Sequence, residues 1–260
     1  MVLIGLFGTL YHANTNLKKQ VARKERRSIG VLSWIICLMI GNVCLLYFVF
    51  QEEQLYYALI FMKVQVENWD IWALMWVIGV SDFALKFAAI AMKAVIAMLP
   101  NSLIPFKRRG KYYMIFEETS HFYRAFLPIN PWMCFLGNRA NDSAMSFVFS
   151  TVLAIAYCVF KGVRLLQKTR EMTAALQKFL QKSSYGTTPT KEDFSQTGSS
   201  CPICQDEVHD PIMLACKHIF CEECVSMWFD RERTCPMCRA NIIDDPKWRD
   251  GGTVGTMQLF

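Results

Sequence analysis

The stretch IGVLSWIICLMIGNVCLLYFVF, Ile29 to Phe50, runs for twenty-two residues without a formal charge. A helix of that length covers the roughly 30 Å of hydrocarbon in a bilayer, and a helix that is apolar on every face has no exposed surface to offer water. The chain must therefore be embedded in a membrane. Its composition agrees, with 53% hydrophobic and only 19% charged residues over 260 positions, which is apolar for a soluble domain.

Two further segments qualify as spans. Ala144 to Phe160 is uncharged and extends to residue 166 if Lys161 and Arg164 reach back to the interface. Residues 71–99 are long and apolar but carry Asp82, Lys86 and Lys93, which fall within about 40° of one another on a helical wheel. Charge in a bilayer is costly and is usually paired or functional. The preferred reading is mutual neutralisation of Asp82 and Lys86 at i and i+4, and the sharper one is a substrate-sensing or conducting groove. Residues 1–12 are apolar but too few to cross, so they read as a partial span followed by a loop over 13–28. Trp69, Trp72 and Trp76 suit an interfacial belt. A chain that opens this abruptly in apolar sequence suggests a shortened form of a longer protein. Asn141 opens a formal glycosylation sequon beside a span and is expected to be unmodified.

The composition then changes twice. Residues 161–182 hold six basic residues against one Glu, with apolar residues at helical spacing, and 167–182 read as a juxtamembrane helix. Residues 183–200 fill with Ser, Thr and Gly and lose periodicity, as a flexible linker does.

Cys201 opens a different kind of sequence. Chelating pairs follow one another: Cys201 with Cys204, Cys216 with His218, Cys221 with Cys224, and Cys235 with Cys238. Eight donors make two tetrahedral sites, and CxxC turns repeated within 38 residues are far more specific than one alone. His218 argues against a disulfide framework. So short a segment cannot bury a stable core, so metal must supply much of its folding energy. Spacing alone leaves open which pairs share an ion. His209 is a spare imidazole, read as a solvated loop residue.

The ligand order Cys-Cys-Cys-His-Cys-Cys-Cys-Cys, with gaps of 2, 11, 1, 2, 2, 10 and 2, resembles a RING finger of the C3HC4 type. With IGVSDFALKF, KYYMIFEETSHFYRAFLPI, HIFCEECVSMWFDRERTCPMCR and DPKWRDGG, nearly the whole chain resembles the RING finger and transmembrane domain-containing family. More distantly, spans followed by a RING resemble the membrane ubiquitin ligases of endoplasmic-reticulum-associated degradation. The resemblance implies a cross-brace with two Zn2+ ions, one on Cys201, Cys204, Cys221 and Cys224, the other on Cys216, His218, Cys235 and Cys238. It also implies that Ile203, Trp228 and Pro236 form an apolar groove for a ubiquitin-conjugating enzyme (E2). Arg239 would be the catalytic cation bridging that enzyme and ubiquitin. Each has a plainer reading: Ile203 and Pro236 as knuckle residues, Trp228 as core, Arg239 as an ordinary surface arginine.

The expected fold is mostly α: a multi-pass membrane domain over 1–166, the juxtamembrane helix, the linker, a small α+β RING over 201–239 and a tail over 240–260. The net charge of +6 does not call for nucleic acid, because the basic residues collect beside spans, at Lys18 to Arg27, Lys107 to Lys111 and Lys161 to Lys182. The positive-inside rule explains them, but three spans cannot place all three clusters in the cytosol unless residues 112–136 also cross. Cys37, Cys44 and Cys158 lie in spans, Cys134 has no evident role, and no nucleophile, phosphate loop or serine triad is present. The resemblance implies a ubiquitin ligase of the endoplasmic reticulum membrane with a cytosolic RING, whose partners are an E2, ubiquitin and membrane or misfolded protein substrates. The alternative is a membrane scaffold or transporter-like protein whose RING only recruits partners.

Overall fold

The computed structural model describes the chain except residues 1, 63, 65, 67–68, 140–143, 181–185, 191–192, 194–199, 230–231, 233, 242–249 and 260, and the side chain of Lys107. Asn141 and most of the linker lie outside the described residues. The chain divides into two compact units, and the division is not sequential. Met1–Phe179 and Trp248–Phe260 form one, Leu180–Lys247 the other.

Among the described residues, six α-helices build the first unit: α1 Val2–Ala22, α2 Ile29–Val49, α3 Ile71–Met98, α4 Phe106–Phe126, α5 Ile129–Arg139 and α6 Ala144–Leu180. Of these, α2, α3 and α6 are long and apolar enough to cross a membrane. They differ in surroundings. Helix α3 is mostly enclosed by its neighbours, whereas α6 leaves Phe147, Phe149, Val152, Ile155, Val159 and Phe160 uncovered, a surface that only lipid can solvate.

Helix α1 corrects the expected partial span and loop. It continues ten residues past position 12, because Leu6, Leu10, Ala13, Leu17 and Gln20 are buried at helical spacing. The polar residues between them, which looked like a loop, face elsewhere. The turn into α2 is fixed by the backbone N–H of Ser28, which donates to Gln20 Oε1 at 2.9 Å.

Residues 112–136, read as a candidate crossing, are divided between α4 and α5. The break falls at Leu127–Pro128, where proline supplies no N–H for the ladder. Helix α4 runs antiparallel to α3, since Lys93 pairs with Glu117 and Asp82 with Arg124. Two arginines close the far end of α3, where carbonyls lack helical partners. Arg27 donates to Leu99 O at 2.9 Å, and Arg109 donates to Leu99 O and, at 3.1 Å, to Ala97 O. Of the tryptophans read as an interfacial belt, Trp69 is buried, Trp72 is exposed, and Trp76 packs edge-on against Phe50. Cys134 is half-buried, its thiol 3.6 Å from Asn130 Oδ1.

Residues of the chain's tail, from Asp250 to Leu259, belong to this unit rather than extending the zinc-ligand region. Lys93 Nζ, fully buried, lies 2.6 Å from Glu117 and 2.5 Å from Gly252 O. Lys86 Nζ, paired with Asp82 at 2.8 Å, also donates to Gly255 O and Thr256 O at 3.0 and 2.9 Å. The i,i+4 neutralisation read from sequence is present, but each lysine has tail carbonyls as well.

Candidate metal centre

The second unit is built on the antiparallel strands β1 Pro211–Met213 and β2 Ile219–Cys221, followed by helix α7 Glu222–Phe229. Glu222 and Glu223 stand in the first turn of α7, where acidic residues favour the helix dipole. Val225 and Phe229, one turn apart, join Ile212, Leu214 and Phe220 in a small core. Residues 186 and 187 correct the reading of a linker without structure. Thr187 exchanges both backbone hydrogen bonds with Met213, at 3.0 and 2.9 Å, and so adds to the free edge of β1. Gly186 has φ +70°, and a Cβ there would lie 2.1 Å from Met213 O, so only glycine fits.

Two copies of one turn frame the metal ligands. In the first, the N–H of Gln205 donates to Cys201 O at 2.8 Å and the N–H of Cys201 to Asp206 O at 2.8 Å. In the second, the N–H of Arg239 donates to Cys235 O at 2.9 Å and the N–H of Cys235 to Ala240 O at 2.9 Å. Ser200 bridges Glu207 and Thr234 bridges Asn241 at the same relative positions. Gln205 and Arg239 both take positive φ, +64° and +55°, to turn the chain back over the thiolates. This repeat was not visible as an internal repeat in the sequence, because beyond the Cys-Pro-x-Cys frame its identity lies in hydrogen bonds.

The other ligands come from the hairpin and helix. Leu214 N–H donates to His218 O and Lys217 N–H to Leu214 O, a tight turn that presents Cys216 and His218 together. Cys221 ends β2 and Cys224 lies in the first turn of α7. Two sets of donors result, Cys201, Cys204, Cys221 and Cys224 in one and Cys216, His218, Cys235 and Cys238 in the other. Within each set the ligand atoms lie within 4.8 Å of one another. The pairs alternate along the chain, so the segment 216–224 is shared between both sets. His218 turns Nδ1 inward, 3.3 Å from Cys216 Sγ and 3.6 Å from Cys235 Sγ.

The chemistry suits zinc. Burial resists thiolate charge at Cys201, yet the N–H groups of Cys204, Cys221 and Ile203 bring its pKa down to about 7. Burial pushes Cys224 up to about 12 and Cys216 to about 11, values at which a cation must displace the proton. His209, expected to be an idle loop residue, contributes through its backbone: its N–H donates to Cys221 Sγ at 3.3 Å while its ring is exposed. No sequence signal marks that role, which depends on the loop path. The two tetrads are consistent with two zinc ions.

Ile203 and Trp228 are half-buried against the same core cluster. The Trp228 indole N–H is held by Thr234 O at 2.9 Å, which fixes the ring and leaves its apolar face available. Pro236 is half-buried and Arg239 exposed. Met237, beside Pro236, is 54% exposed, an apolar side chain outside the expected set.

Residues 197–244 match the family model of the C3HC4-type zinc finger, the RING finger. The whole chain is 37% identical over 260 residues to "RING finger and transmembrane domain-containing protein 2" of Mus musculus. It is 36% identical over its full length to "E3 ubiquitin-protein ligase RNFT2" of Homo sapiens, and 37% identical, over 99% of the chain, to "E3 ubiquitin-protein ligase RNFT1" of Homo sapiens. The chain belongs to the RING finger and transmembrane domain-containing family. It spans 58–60% of the length of these relatives. No solved structure matches it. In this family's terms the second unit is the RING and the first the transmembrane domain.

Proposed function

We propose that the chain is a membrane-anchored RING-type E3 ubiquitin-protein ligase. The reading rests on one observation: alternating Cys/His tetrads lie within a chain that matches, end to end, proteins named E3 ubiquitin-protein ligases. Each of the eight ligands, Cys201, Cys204, Cys216, His218, Cys221, Cys224, Cys235 and Cys238, then holds zinc, and the RING performs no covalent step. Ile203, Trp228 and Pro236 dock a ubiquitin-charged E2, and Met237 widens that apolar surface. Arg239, exposed at the end of the last turn, reaches the docked pair with its forked donors. Catalysis is positioning: the thioester is held where a substrate lysine attacks it.

Free thiolate ligands require a reducing compartment, so the RING faces the cytosol. The membrane is that of the endoplasmic reticulum, and the substrates are membrane or misfolded proteins destined for degradation. The test is lysine discharge from charged E2 enzymes by the full chain in lipid nanodiscs. Discharge that Ile203→Ala suppresses supports the ligase. A zinc-loaded chain inert with every E2 tried replaces it with the recruiting scaffold.

A further inference from the structure

The tail in the transmembrane unit is held mostly by its backbone. Asn14 grips Thr253 with both ends of its amide, Nδ2 donating to the carbonyl at 3.1 Å and Oδ1 accepting from the N–H at 2.9 Å. Glu117 Oε1 accepts the N–H of Val254 at 3.1 Å. Lys93 takes the carbonyl of Gly252, Lys86 those of Gly255 and Thr256, Arg124 that of Thr256 at 3.2 Å, and Trp132 that of Leu259 at 3.0 Å. Side-chain contacts are fewer: Thr253 Oγ1 with Lys93 and Glu117, Gln258 with His121, Asp250 with Lys18, and Met257 against Gly79.

The charge balance of the cleft explains this choice of partners. Lys86, Lys93 and Arg124 face only Asp82 and Glu117 in these ion pairs, and all five are almost completely buried. One cation is in surplus, and a buried surplus charge needs acceptors. Backbone carbonyls provide them, and every polypeptide carries one at each residue. In return, the cleft satisfies backbone groups that have no other partner inside a membrane domain.

We propose that this cleft is a binding site for extended polypeptide, with residues 250–259 as its tethered occupant and a second polypeptide of the same chemistry as its ligand when the tail leaves. The ligand is an unbranched extended segment with free backbone N–H groups. It has glycine at the position of Gly251, where φ is +78° and a Cβ would sit 3.1 Å from Val21. It has an apolar side chain at the position of Met257, where the missing Cβ of Gly79 leaves a shallow socket, 3.5 Å from the Met257 methyl. A hydroxyl at the position of Thr253 adds contacts to Lys93 and Glu117, and the side chains at Val254 and Thr256 are not selected. The inference stands apart from ubiquitin transfer, since the site is read from the transmembrane unit alone.

The test keeps the folded protein intact. A protease site placed within residues 242–249 of the full chain is cut after reconstitution in nanodiscs, and a fluorescent peptide of residues 250–260 is offered in excess. The expected result is saturable exchange of the cut tail for the peptide. A peptide with altered side chains at Val254 and Thr256 binds as well, while N-methylation of the Val254 amide, which removes the donor to Glu117, weakens binding by about tenfold or more. A cut tail that never exchanges while the protein stays folded overturns the proposal and makes the tail a permanent strap. Exchange abolished by the side-chain changes but tolerant of N-methylation also overturns it, because recognition is then by sequence.

Discussion

Gln205 and Arg239 occupy one position in two copies of the same turn, with the same left-handed backbone and the same hydrogen bond to the first cysteine of the pair. Geometry alone therefore gives Arg239 nothing that Gln205 lacks, and the difference must lie in the guanidinium. Glycine at either position should relieve left-handed strain worth roughly 1 kcal/mol. Gln205→Gly and Arg239→Gly should both retain two zinc ions, but only Arg239→Gly should slow lysine discharge. Equal rates for the two variants would return Arg239 to the role of a surface residue. Ile203→Ala should behave in the opposite sense to Arg239→Gly. Ile203 is half-buried beside the core, so truncation removes an apolar contact worth about 1–3 kcal/mol at a small interface. E2 binding measured by titration should fall, whereas Arg239→Gly should leave binding nearly intact, because in its proposed role its donors would act in the charged complex.

At the scale of elements, the turns and the hairpin of the RING are tied together because one hairpin-and-helix segment supplies ligands to both tetrads. Cys204→Ser and Cys235→Ser remove a donor from different sets, yet each should unfold the whole RING, as read by loss of both zincs in metal analysis. Unfolding confined to one half would make the sites independent. The ligand pattern was legible because metal spacing is written in residue types. Helix α1 was legible only in part: its apolar stripe continues through Ala13 and Leu17, but the intervening His12, Asn14, Asn16 and Lys18 mask it from a reading by apolar runs. The docked tail was not legible at all, because its partners recognise backbone, which every sequence shares. Its structural weight can still be measured. Lys93→Ala should leave Glu117 without its lysine countercharge and the Gly252 carbonyl without that donor in a fully buried site, at a cost of about 3–5 kcal/mol. Lys18→Ala breaks the pair with Asp250, whose side chains are 46% and 57% exposed, and should cost at most about 1 kcal/mol. Thermal unfolding in detergent should separate the two variants widely.

For the whole molecule, a proposal for the number of crossings has to weigh how charge is paired as well as hydropathy. Counting only α2, α3 and α6, the turn at 23–28 and the RING would lie on opposite sides. Helix α4 fails a hydropathy criterion, yet its Glu117, His121 and Arg124 are buried against α3 and the tail and present no charge to lipid. It has 21 residues, enough for about 30 Å, and it runs back along α3. Helix α5, with 11 residues, is too short to cross. We propose that α4 is the fourth crossing after the 23–28 turn, an arrangement in which that turn, the 99–105 loop and the RING would share one side. Arg27 and Arg109, from two of the basic clusters, already meet at Leu99 O, as that arrangement requires. The tail runs from Asp250 beside Lys18 to Leu259 beside Trp132. Tags placed at 23–28 and within 242–249 should therefore both be digested by protease added outside sealed microsomes, as the positive-inside rule demands. A protected 23–28 tag with a digested 242–249 tag would leave α4 lying within one side of the bilayer, and its buried carboxylate and guanidinium would then serve only the cleft.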